Sequence, residues 1–133
     1  MKKILLLKLC VALASLSIGQ TQSELNANAK EKYDATDKEL NQVYNSILKE
    51  YKSDTVFIKN LKKSQKLWIQ FRDSEMQVKY PSREPGYYGS VHPMCWSMYK
   101  EELTRERIKK LKIWLDGIEE GDVCSGSVKT KDQ

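Results

Sequence analysis

Apolar residues between Leu25 and Ile118 recur at steps of three and four, the spacing of a helix face rather than the alternation of a strand. Leu25, Ala29, Tyr33, Leu40, Val43, Tyr44, Ile47, Leu48 and Tyr51 form the first such stripe. Thr21-Gln-Ser-Glu24 ahead of it has the spacing of a capping box, so a helix over about 22–52 is predicted. Ser53 and Asp54 are good N-cap residues for a second helix over about 55–79, which must stop before Pro81. Within it Leu61, Leu67, Trp68 and Phe71, joined by the small Ser64, are read as one face, with Lys59, Lys62, Lys63 and Lys66 on the remaining arc. A tryptophan needs partners on both sides, so this helix is expected to be the central one. The stretch 81–90 is a loop by composition, its two tyrosines expected to lid the core. Pro93 suits the first turn of a third helix. Met94, Met98 or Tyr99, Leu103, Ile108, Leu111, Trp114 or Leu115 and Ile118 give that helix its apolar face. The expected fold is all-α, a small antiparallel three-helix bundle.

The two ends of the chain read differently. Lys2, Lys3 and Lys8 precede a short apolar run from Leu9 to Ile18 that ends in small residues, the pattern of a secretory signal. The run is shorter than the roughly 20 apolar residues of a membrane span. Residues 1–19 are therefore read as a signal peptide, 20–120 as the helical domain and 121–133 as a polar, flexible tail. No membrane span is expected after cleavage, and the protein is expected to be periplasmic or secreted, and a monomer.

Removing that leader changes the charge argument. The chain carries 23 basic and 18 acidic side chains, a net charge of +5. The leader holds three lysines and no acid, so 23 − 3 = 20 basic residues face 18 acidic ones and the net charge falls to +2. Nucleic-acid binders show a strong one-sided basic field, and no nucleic-acid partner is expected here.

Catalytic and metal-binding signals are missing from the sequence. His92, the one histidine, precedes a proline and has no metal or triad partner at a suitable spacing, so it reads as a helix-start or surface residue. Glu101-Glu102 and Glu119-Glu120 read as solvated helix faces, with Arg105 and Glu106 at i,i+4 positions. No phosphate loop and no zinc-type cysteine pair occur. The expectation is a non-enzymatic protein without cofactor or metal.

Several runs together resemble one family. Asp37-Lys-Glu-Leu-Asn-Gln-Val-Tyr44 is similar to a D-x-x-L-N-x-x-Y motif, and Ser64-Gln-Lys-Leu-Trp-Ile-Gln-Phe-Arg-Asp73 to an A-Q-x-x-W-I-x-F-R-D motif. Gly89-Ser90, Pro93-Met94 and Thr104-x-x-Arg107-x-x-x-Leu111 resemble the closing elements, and Thr21-Gln-Ser-Glu-Leu-Asn26 the opening. These are the marks of the LprI-like family of secreted proteins, whose named activity is inhibition of lysozyme. The resemblance covers about 21–115. It implies a secreted binding protein that blocks a lysozyme-type cell-wall hydrolase by occlusion, with an immunity or envelope-stress protein against another toxin, or a small-ligand-binding helical module, as alternatives.

The motif positions Asn41, Tyr44, Gln65, Trp68, Arg72, Asp73, Thr104 and Arg107 are the candidate binding residues, with Asn41, Gln65 and Arg107 expected to join in a polar network across the three helices. Glu24, Glu31, Asp34, Asp37 and Glu39 supply a candidate acidic patch for steering toward a basic hydrolase. The family places cysteines where this chain has Asn28 and Met76. Packing about Trp68 and Phe71 must then hold more of the helical hairpin. The remaining pair, Cys95 and Cys124, is read as a disulfide if the third helix ends early and the tail runs back along it, or otherwise as free or intermolecular thiols.

Overall fold

The computed structural model describes residues 20–131, so the expected signal peptide lies outside the described residues. Three helices follow in order: α1, Gln22–Glu50; α2, Thr55–Lys79; and α3, His92–Asp116. Their ends lie where the caps placed them. Thr21 Oγ1 accepts from the Glu24 amide at 3.2 Å while Glu24 Oε2 accepts from the Thr21 amide at 2.8 Å, closing the capping box. Asp54 Oδ1 accepts from the Phe57 amide at 2.9 Å at the start of α2. Pro93 occupies the first turn of α3.

The helices are not equally close. α1 and α3 form the intimate pair, and α2 touches α3 more sparingly. The reason lies in side-chain size. Ala29 and Thr36 of α1 and Ser97 and Thr104 of α3 are buried, and such small residues let two helix backbones approach. The hydroxyls of Thr36 and Thr104 turn back onto the carbonyls of Lys32 and Lys100, at 2.9 and 2.7 Å, so neither is left unsatisfied. The inward residues of α2 are Leu61, Gln65, Arg72 and Met76, all long, with the half-buried Trp68 among them. They hold α2 further out. The Trp68 helix is therefore the outer member, and α3 occupies the central place expected of it.

The inner face of α2 is also rotated from the expected one. Leu67 and Phe71 are 54% and 56% exposed and do not help to hold the hairpin. Each precedes an inward-facing residue by one position, which turns it by about 100° around the helix. The inward step is taken by Trp68 and Arg72. The main core comprises Leu40, Val43, Ile47, Leu61, Ile108 and Leu111, with Tyr44, Phe57, Trp68 and Trp114 packed against it.

The tail and the cysteines depart from expectation. Residues 117–131, beyond a flexible-tail reading, fold as a strap over the end of the bundle. Ile118 pairs with Thr130, the Ile118 amide donating to Lys129 O and the Lys131 amide to Ile118 O at 2.9 and 3.0 Å. Trp114 Nε1 donates to Ser127 Oγ at 3.0 Å, and the Lys129 amide reaches Tyr51 Oη at 3.3 Å. The expected Cys95–Cys124 bridge is not formed, and both thiols are free. α3 continues unbroken from Cys95 to Asp116, about 32 Å of helix axis. Ser127, three residues from Cys124, is tied to Trp114 at the far end of that helix.

In the 81–90 loop, Tyr88 stacks on His92 with ring centroids 4.8 Å apart and donates to Pro81 O at 2.7 Å, whereas Tyr87 stands exposed. His92 is a helix-start residue as expected, half-buried, its Nε2 without a hydrogen-bond partner.

The strap depends on one residue. Gly117 has a positive φ of 74°, and a Cβ there would come within 3.0 Å of the backbone at Lys129, Thr130 and Lys131. Gly117→Ala is expected to cost more than about 1 kcal/mol, measured by urea denaturation. It should also remove hydrogen-exchange protection at the Ile118 and Lys131 amides, with the protection of α1 retained.

Candidate functional site

Two of the motif runs, 37–44 and 64–73, converge on one buried guanidinium. Arg72 is 7% exposed. Its Nη1 donates to Asp37 Oδ1 of α1 at 3.3 Å and its Nε to the neighbouring Asp73 Oδ1 at 3.2 Å. The ring of Trp68 lies 5.1 Å from its Cζ. Lys100 of α3 approaches Asp73 at 3.8 Å and lies over the rings of Trp96 and Tyr33 at 4.7 and 5.2 Å. Two cations and two carboxylates thus balance within one cluster spanning all three helices. Burial, with the charge of Arg72, holds the Lys100 pKa below its ordinary value; burial raises that of Tyr33, whose hydroxyl donates to Asp37 at 3.4 Å.

A second polar cluster lies two turns away. Arg107 Nε donates to Gln65 Oε1 at 3.0 Å and its Nη2 to Ser64 Oγ at 3.1 Å, while its Cζ lies 5.8 Å from the ring of Trp68. Trp68 therefore contacts both guanidinium groups. The expected three-helix network of Asn41, Gln65 and Arg107 forms only in part. Asn41 Nδ2 turns back to Asp37, donating to its carbonyl at 2.9 Å and to Oδ2 at 3.3 Å. Asn41 thereby supports the Arg72 cluster, while Gln65 and Arg107 form a separate one. Tyr44 packs on the core, and Thr104 lies fully buried at the α1–α3 contact.

The structure adds residues that the motif reading passed over. Lys100, Tyr33 and Trp96 complete the Arg72 cluster, and no spacing rule could link Tyr33 to Lys100, which lie on different helices. Asp37 stood among the acidic-patch residues, but its carboxylate is committed to Arg72. Asp34 pairs with Lys30 and Glu39 with Lys112, so much of that patch is offset within the molecule. The neighbouring lysine holds the Glu39 carboxyl below its usual range.

An open groove of about 490 Å³ runs between the first half of α2 and the second half of α3. Phe57, Leu61, Leu111 and Trp114 line it, with Arg107 and Ser64 toward one end and Asp54 at the start of α2. No group of three or more histidine, cysteine or acidic side chains suited to a metal occurs among the described residues. None of the described helices is long and apolar enough to cross a membrane.

Removing the guanidinium that the cluster is built around tests its role. Arg72→Ala is expected to destabilise the fold by about 2 kcal/mol, from lost packing on Trp68 and two lost charged hydrogen bonds. Arg72→Lys is expected to recover less than half of this, because an ammonium cannot present two directed donors and a planar face together. Chemical denaturation of the three proteins measures both differences.

The model of the family described as lysozyme inhibitor LprI matches residues 14–111. A curated relative, "Uncharacterized protein R02472" from Rhizobium meliloti (strain 1021), is 31% identical over 111 residues, covering 74% of this chain and 77% of its own. No solved structure matches the chain. Asp37, Asn41, Trp68, Arg72, Gln65 and Arg107, the residues that build the two clusters, lie inside the matched span. The chain belongs to the lysozyme inhibitor LprI family.

Proposed function

We propose that this protein is a secreted or periplasmic binding protein that blocks a lysozyme-type cell-wall hydrolase by occluding its substrate groove, without turnover. Family membership carries this reading. The structure supports it with a surface suited to contact. Leu67, Phe71 and Val78 of α2 point outward, Val78 74% exposed, on a helix braced from behind by the Arg72 cluster. A rigid helix displaying aliphatic and aromatic side chains loses little conformational entropy on binding. The buried motif residues act as the brace, and the outward side chains, Phe71 of the motif among them, as the contact.

A second reading, an immunity or envelope-stress protein directed at another secreted toxin, gains from one observation. The acidic residues that would steer it toward a strongly basic lysozyme are largely paired internally, and residues 20–133 carry a net charge of +2. Capture from a periplasmic extract separates the two readings by the identity of the bound protein.

The direct test is the rate at which lysozyme clears a peptidoglycan suspension. A saturating excess of the protein is expected to suppress it, and an unchanged rate overturns the inhibitor reading. Phe71→Asp and Leu67→Asp are each expected to weaken inhibition about tenfold or more, as truncation of a central apolar contact does. Their melting temperatures should remain within a few degrees of the parent, since both side chains are exposed.

A further inference from the structure

We propose that the groove between α2 and α3 is a binding site for an amphipathic anion, a carboxylate carried on an acyl chain or an aromatic ring, with Arg107 receiving the carboxylate. The comparison between the two arginines on Trp68 carries the argument. Arg72 is buried and Arg107 half-buried, and both lie against the same indole. Arg72 is neutralised by Asp37 and Asp73. Arg107 meets only neutral acceptors, Gln65 Oε1 and Ser64 Oγ, and among the described residues no carboxylate pairs with it. A partly desolvated guanidinium without a counter-ion is a costly arrangement, and it has donors to spare. Burial accordingly depresses its pKa, although an arginine stays charged.

The surroundings reinforce the sign. Thr55 to Arg72 contains no acidic residue, so no carboxylate within that stretch of α2 competes for Arg107. The one acid lining the groove is Asp54, ten residues before Ser64 along α2 and so about 15 Å away. Its Oδ1 is taken up by the Phe57 amide. The two ends of the groove therefore differ in charge, and the apolar lining of Phe57, Leu61, Leu111 and Trp114 lies between them. An anionic head at Arg107 with an apolar body lying toward Trp114 matches this polarity. The volume of about 490 Å³ falls within the usual range for small-molecule sites. The site stands independently of hydrolase inhibition.

Isothermal titration of the full-length protein with decanoate tests the site, with decylamine as a control of the same length and opposite charge. Decanoate is expected to bind with one-to-one stoichiometry and decylamine at least tenfold more weakly. Arg107→Gln should weaken decanoate binding tenfold or more, in line with the loss of a charged hydrogen-bonded pair. Asn60→Trp, at an exposed position on the groove, should block binding with Arg107 intact and provides the test if the arginine variant fails to fold. Lys62→Gln/Lys66→Gln, on the opposite arc of α2, should leave binding within about twofold. Equal binding of decylamine, undiminished binding by a folded Arg107→Gln protein or by Asn60→Trp, or a loss on the lysine substitutions that matches the arginine one, overturns the proposal.

Discussion

A guanidinium that has left water must be met by opposite charge, and in this protein that charge comes from two helices while the third adds a cation to the same cluster. Arg72 takes Asp37 from α1 and Asp73 from its own helix, and Lys100 from α3 closes on the same aspartate. None of these partners is supplied by apolar packing, which tolerates sliding and rotation. A directed pair between a planar donor and a carboxylate does not. The cluster fixes the rotation of α2, and with it which side chains face in and which face solvent.

That rotation links fold to function. Because Trp68 and Arg72 take the inward positions, Leu67 and Phe71 are turned outward. The same choice of long inward residues holds α2 away from the closely packed α1–α3 pair and opens the groove along Phe57 and Leu61. One helix therefore offers two surfaces, an apolar outer ridge and a groove with an uncompensated cation. The strap over the end of the bundle finishes one end of that groove, since Ser127 lines it while bonded to Trp114. Aromatic contacts among Tyr51, Phe57 and Trp114 carry the strap's anchorage through to the turn between α1 and α2.

The chain lacks cysteines at 28 and 76, where its relatives are expected to carry them, and its own Cys95 and Cys124 are unbridged. What holds α2 in place is then the Arg72 and Arg107 clusters together with burial of Leu61 and Met76. Polar contacts of this kind specify geometry well and contribute modest net energy. The face of α2 that an inhibitor would present is thus set by charge pairing.

The sequence by itself determined the number, order and ends of the helices, because those depend on neighbours in the chain. A capping box at Thr21 and Glu24, an N-cap at Asp54 and a proline at position 93 act within one turn of the backbone. Apolar spacing also identified most of the core, from Leu40 to Leu111. It misplaced the inner face of α2, where hydropathy counted Leu67 and Phe71 as inward and Gln65 and Arg72 as polar. Only tertiary structure could reverse that, since a buried arginine is tolerable solely when carboxylates on other segments are present to meet it. The same holds for the strap: a polar segment after Gly121 looks unfit to fold until Tyr51 and Trp114, distant in the chain, provide hydrogen-bonding partners. Local physics wrote the helices, and long-range charge pairing decided which way they face.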